Sequence, residues 1–287
     1  MIPAQFDYLA PTSVDEALDA LAAHGDAAKV LGGGQSLLPI LRMRLNTPGV
    51  VVDLSRIPEL QGISDEGDHL VLGAMTTYAA VLASEAVAAH AAVLAKAIHT
   101  VADPQIRHRG TVGGALVHAD PAGDVGAPAL VLGAQMVVAG QGGQRRTVAA
   151  EDFFEDLFTT AVGDGELLTQ IRVPKHTGWG AHYEKFVRVS HQWSIVGVAA
   201  TVRSEGGQIA EARVGLTNMG STPLRARGVE QALVGQPATD EAVRAAVASV
   251  ADGTNPPSDL NGDAPYRRHL ATVLTRRAVL AAAGSEA

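Results

Sequence analysis

The residues best suited to chemistry lie in two glycine turns. Gly32-Gly33-Gly34-Gln35-Ser36 follows the short apolar run Lys29-Val30-Leu31, and Thr111-Val112-Gly113-Gly114 follows the helix breaker Asp103-Pro104. Consecutive glycines let the backbone take conformations closed to other residues. Such a loop turns several N–H groups inward as an anion-binding nest. A helix start just beyond adds partial positive charge, and Ser36 or Thr111 adds a hydroxyl. This chemistry suits a phosphate or pyrophosphate. A lone glycine triplet reads as readily as a strand-to-helix turn with no ligand. Two such turns in one chain can clamp a single dinucleotide from two sides. The strict phosphate fingerprints are absent: a G-x-G-x-x-G run from Gly32 needs glycine where Leu37 stands, and no Gly-Lys-Ser/Thr ending occurs.

Other chemistry is less well supported. Asp124 can accept bonds from a ligand, or cap the apolar helix expected over 125–132. Asp120 beside it does not make an acid–base pair. The ten histidines show no HExxH or HxH spacing, which argues against a metal site, and His118 reads as a hydrogen-bonding loop residue. Ser36 and Ser194 lack a GxSxG setting. Arg107-His108-Arg109 forms a basic patch, solvated or aimed at phosphate. Trp193 either packs in a core or covers a ring face. No residue is marked as acid, base or nucleophile. The chain has no cysteine, so it holds neither disulfides nor iron–sulfur clusters. A net charge of −8 and 4% aromatic residues argue against nucleic acid.

The elements that position these residues follow from patterning. Ser13 and Glu16 make a capping-box pattern ahead of a helix ending at Gly25. Lys29-Val30-Leu31 and 50–54 read as buried strands, with helical spacing over 37–45. A strand is expected at 69–73, a helix capped by Thr76 or Thr77, and one long helix over 87–101. Strands at 134–139 and 145–148 form a hairpin, and 167–173 is a strand ending at Pro174. Beyond Gly178, 195–203 and 209–216 make a long antiparallel hairpin turning at Gly206-Gly207. Helices follow at 226–233, 240–250 and 266–283. The fold class is α+β, with a boundary near 177. No run reaches a membrane span, and the start lacks a signal-peptide pattern, so the expected address is cytoplasmic.

With these residues in view, LGGGQSLLPILRMRL at 31–45 resembles the AGGxSLLP segment of FAD-binding medium subunits of molybdenum hydroxylases. ADPQIRHRGTVGGALVHADPAGD at 102–124 resembles that family's second segment, with its IRxxGTxGG core, and YRRHLATVLTRRAVL at 266–280 resembles its terminal helix. The order of the motifs suits the family, and the resemblance spans nearly the whole chain. It implies an FAD-binding fold of the vanillyl-alcohol-oxidase type, with two α/β subdomains at about 1–57 and 58–177, and an α+β domain over 178–287. It implies that Lys29, Val30, Leu31, Gly32, Gly33, Gly34, Gln35 and Ser36 hold pyrophosphate and neighbouring parts of FAD. Thr111, Val112, Gly113 and Gly114 would form the opposing wall. Asp124 would bond the cofactor, Val101 and Leu167 would line the site, Lys185 would lie near the flavin, and Trp193 would offer an aromatic to its face. Gly32 stands where alanine is usual, and Gln35 where histidine is common.

The resemblance further implies an electron-transfer flavoprotein. Its partners would be a large subunit carrying the molybdenum cofactor and a small subunit carrying 2Fe-2S clusters, arranged as a dimer of heterotrimers, with membrane association only through partners. Electrons would pass from those clusters through FAD to a final acceptor. Carbon monoxide is the favoured substrate of the whole, by style closest to the aerobic carbon monoxide dehydrogenase branch. Xanthine, aldehyde or N-heterocycle complexes are the alternative. A self-sufficient FAD oxidoreductase and a non-enzymatic nucleotide-binding protein are the readings from other classes.

Overall fold

The computed structural model describes residues 2–284. Three larger sheets organise them, with a small two-stranded pair, Phe154–Asp156 and Thr159–Thr160, beside them. The first is a parallel three-stranded sheet with Val50–Asp53 in the middle, flanked by Asp7–Leu9 and Ala28–Leu31. The central strand is buried along its length, as expected for a strand paired on both edges and covered on its faces. The helix Val14–His24 covers it with Val14, Ala17, Leu18 and Leu21. Ser13 caps that helix by accepting from the Glu16 amide at 3.2 Å, while the Glu16 carboxylate accepts from the Thr12 amide at 2.7 Å. Ala28–Leu31 is a strand but not a buried one: Lys29 and Val30 are exposed, because this is an edge strand whose far side has no neighbour in the sheet.

The second sheet is antiparallel. Leu167–Pro174 lies at its centre, between His69–Gly73 and Gln135–Ala139, with Ile63–Glu66 and Arg145–Ala149 outside. Helices pack against it through Leu70, Leu72, Ile98, Leu116, Met136 and Ile171, all nearly solvent-free. The helix expected as one piece over 87–101 is two, Glu85–His90 and Ala92–His99, broken at Ala91, whose φ is −142°. Ser84 caps the first by accepting from the Val87 amide. The second glycine turn is itself the first turn of a helix, Val112–His118, with Thr111 as cap. His118 therefore sits on a helix, not a loop, its ring 5.2 Å from that of Phe158.

The third sheet, also antiparallel, orders Gly180–Phe186, Val196–Glu205, Gln208–Thr217 and Leu224–Arg225. Its first strand has no counterpart among the elements expected from the sequence. The terminal helix Ala264–Ala282 lies along it, burying Leu270, Leu274, Ala278 and Val279. No helix of the described residues is long and apolar enough to cross a membrane.

Candidate cofactor site

The strand Ala28–Leu31 delivers Gly32–Ser36 to the start of the helix Leu37–Arg42. Gly34 has φ +77°, a region side chains rarely adopt, and a Cβ there would meet Leu38 at 2.9 Å. Gln35 folds its Nε2 back onto the Gly33 carbonyl at 3.2 Å. Among the described residues, the backbone amides of Gly33, Gly34, Gln35 and Ser36 meet no acceptor. Four adjacent free donors at a chain reversal have the geometry of an anion nest.

The second segment stands against the first. A Cβ on Gly33 would lie 2.1 Å from the Arg109 carbonyl oxygen and 2.8 Å from Gly110 Cα; one on Gly32 would lie 3.3 Å from Thr111 Oγ1. The two glycine turns thus touch backbone to backbone. The amides of the second are engaged internally. Val112 donates to Thr76 O at 3.0 Å, Gly113 to Ala74 O at 2.9 Å and Gly114 to Thr111 Oγ1 at 3.2 Å. This segment buttresses the first loop, and the two loops share a common edge.

Asp124 lies at a second focus. It does not cap the helix Gly126–Val131, whose capping position is Val125 with no side-chain bond. Its Oδ1 instead accepts from Ser194 Oγ at 2.6 Å and Tyr183 Oη at 2.8 Å, and its Oδ2 accepts from Lys185 Nζ at 2.7 Å. Lys185 also points at the Thr100 carbonyl at 3.4 Å. Both side chains of the ion pair are nearly solvent-free. Burial, reinforced by the Asp124 charge, pushes the Tyr183 phenol well above its ordinary range, so it serves as a fixed donor. Tyr78 is raised by the same two causes, and a Cβ on Gly110 would meet its ring at 3.1 Å.

A cavity of about 410 Å³ opens beside this hub, lined by Thr100, Ala102, Tyr183, Lys185, Ser190, His191 and Gln192. Its volume is within the range of small-molecule sites. Trp193 follows that lining loop and is 56% exposed, which rules out packing in the core of the C-terminal region. Val101 is half-buried, its carbonyl held by Arg107 at 2.8 Å, so this arginine braces the chain rather than standing free. Leu167 is buried in the core shared with Met75 and Ala139. Tyr183, Ser194 and Tyr78 are site residues that the sequence reading does not pick out. Tyr183 had a signal: it is two residues from Lys185 on a strand, hence on the same face.

The residues present therefore fit a dinucleotide: free amides for an anion, glycines that let backbones meet, and a cavity beside a fixed cation. The family model of the FAD binding domain in molybdopterin dehydrogenase matches residues 4–176, and that of the CO dehydrogenase flavoprotein C-terminal domain matches 181–282. The chain is 41% identical to the carbon monoxide dehydrogenase medium chain of Hydrogenophaga pseudoflava, covering 98% of both, and 42% identical to that of Afipia carboxidovorans, covering 97% of both. Its structure superposes with a TM-score of 0.95 and 41% identity on a solved carbon monoxide dehydrogenase of H. pseudoflava that lacks the Mo-pyranopterin moiety, covering 100% of each chain. With both halves matched, the chain belongs to the FAD-binding medium-chain family of molybdenum hydroxylases.

Proposed function

We infer that this chain is the flavin subunit of a carbon monoxide dehydrogenase-type complex, working with a large molybdenum subunit and a small 2Fe-2S subunit as a dimer of heterotrimers in the cytoplasm. The observation that carries the cofactor reading is the row of free amides over Gly33–Ser36, backed by Thr111–Gly114. On this reading, 1–177 binds FAD and 178–287 closes the flavin side. Lys29–Ser36 and Thr111–Gly114 receive the dinucleotide, Val101 and Leu167 supply apolar walls, and Trp193 faces the ring.

FAD, when bound, supplies the one- and two-electron chemistry, and the protein's part is to bind, orient and tune it. The amides of Gly33–Ser36 neutralise pyrophosphate charge. Lys185 places a cation at the cavity wall, and Asp124 holds that cation while supplying the opposing charge. Asp124 has all three of its donors inside the chain, so its role is to fix Lys185, Tyr183 and Ser194 rather than to contact the cofactor alone. Two medium chains of carbon monoxide dehydrogenases above 40% identity support carbon monoxide as the substrate of the whole.

Native purification tests this reading. The expected result is two further chains, molybdenum and iron, together with flavin absorption near about 450 nm that acid precipitation releases to the supernatant. A colourless chain purifying alone would overturn the reading, and colour retained in the acid pellet would overturn non-covalent binding.

A further inference from the structure

Arg267 in the terminal helix and Asn218 after the strand Gln208–Thr217 have no part in the reading above, yet both bond the backbone next to Ser194, a partner of Asp124. Arg267 is 0% exposed. Its guanidinium donates to the Ile195 carbonyl, to Asp259 Oδ1 at 2.7 Å and to Gly262 O at 3.3 Å. A buried guanidinium is a costly way to fill space, and an apolar side chain of similar volume would pack as well. The acceptors it reaches are therefore the point of interest.

Asn218 reaches the same backbone from another side. Its φ is +62°, a conformation asparagine tolerates better than most residues. Its Nδ2 donates to Ser194 O at 2.8 Å and Ile195 O at 3.3 Å, and its own amide donates to Pro121 O at 2.8 Å. Two side chains from separate elements thus converge on the Ile195 carbonyl. Asn218 also grips the segment that carries Asp124. Next to the gripped peptide, Ser194 Oγ donates to Asp124, which holds Lys185, and Trp193 is the adjoining residue.

We propose that Arg267 and Asn218 are positioning residues that clamp the Ser194–Ile195 backbone and thereby set the Asp124–Lys185 pair and Trp193 against the flavin site. The inference rests on the FAD reading above. The clamp accounts for why charged and amide side chains, rather than apolar ones, occupy buried places between the terminal helix and the sheet. Asn218 joins the two segments that meet at Asp124, and Arg267 anchors the joint to the terminal helix.

The test uses the full-length chain and the assembled complex with Asn218→Gly, Arg267→Met and Arg267→Lys. Glycine keeps the left-handed backbone while deleting the donor. Amide hydrogen exchange over 187–195 is measured without added FAD, and FAD affinity is measured by titration of flavin-depleted protein. In Asn218→Gly and Arg267→Met, exchange over 187–195 rises at least about tenfold and FAD affinity falls about tenfold, in line with the lost hydrogen bonds to the Ser194–Ile195 backbone. Exchange in the helix Ala92–His99 stays unchanged. Arg267→Lys recovers part of both effects, since one donor survives without the planar fork. Unchanged exchange over 187–195, or faster exchange there with unchanged FAD affinity, would overturn the positioning role. Should Arg267→Met fail to fold, Asn218→Gly decides. A parent protein that takes up no FAD sinks the cofactor reading instead, an outcome distinct from variants that match a flavin-binding parent.

Discussion

Asp124 carries three donors in a nearly dry setting, and this decides what its removal does. Asp124→Ala removes the acceptor shared by the Lys185 ammonium, the Tyr183 phenol and the Ser194 hydroxyl, and leaves Lys185 only the Thr100 carbonyl at 3.4 Å. Breaking a buried ion pair by deleting one partner costs about 3–5 kcal/mol, more than one lost cofactor hydrogen bond. Chemical denaturation of the apo chain is expected to show that loss even before FAD is added. Trp193 is the opposite case. With 56% of its surface exposed, Trp193→Ala is expected to change stability by less than about 0.5 kcal/mol. In the assembled complex it is expected to alter flavin fluorescence and reactivity toward oxygen. A large drop in melting temperature with unchanged flavin behaviour would contradict the assignment of Trp193 to the ring face.

At the scale of elements, the glycines have unequal tasks. A side chain on Gly33 collides with the backbone of Arg109 and Gly110, whereas one on Gly114 meets the Thr111 hydroxyl at 2.7 Å. Backbone yields less readily than a hydroxyl end. Gly33→Ala is therefore expected to separate the two loops, losing FAD and lowering the melting temperature. Gly114→Ala is expected to weaken FAD binding with a smaller thermal effect. Calorimetry of both variants with and without FAD distinguishes them, and equal losses would contradict the stacked-loop geometry. Gly33 is needed by the protein's own backbone, because the two loops meet there.

At the scale of the whole molecule, the stretch between the second and third sheets is pinned by His176. It is buried, its Nδ1 lies 3.0 Å from the Pro174 carbonyl oxygen, and its ring meets the Trp179 ring at 4.8 Å. Burial holds its pKa below the ordinary value, with the nearby Arg213 charge acting the same way and the Pro174 carbonyl opposing. The unfolded chain therefore binds this proton more readily than the folded one. Stability from His176 is present above about pH 6.5 and is lost as pH falls through the lowered folded value. The melting temperature is expected to drop between about pH 7 and pH 5, and His176→Gln is expected to flatten that part of the profile. A parent and variant with identical acid slopes would exclude His176 as the cause.

Local chemistry made much of this chain legible from its sequence. The hairpin turning at Gly206-Gly207, the caps at Ser13 and at one of Thr76 and Thr77, the strand into Gly32 and the glycine loop after it all depend on neighbours within a few residues. Helix breaks were less legible: nothing in the run 87–101 marks Ala91, because packing against the second sheet, not propensity, sets its conformation. Exposure of Lys29 and Val30 was illegible for a related reason, since an edge and a centre strand can share one apolar run. The site divides in the same way. The glycine run Gly32–Ser36 stands out in the sequence by composition, and it is the run we propose for the anion. Asp124 could be read as a helix cap or a ligand residue, and only the tertiary structure made it the acceptor for Tyr183, Lys185 and Ser194. Those partners lie 59 to 70 positions away, beyond the reach of any local pattern. Arg267 and Asn218 are the extreme instance: their meaning is one shared carbonyl, and that exists only once the terminal helix has packed on the sheet.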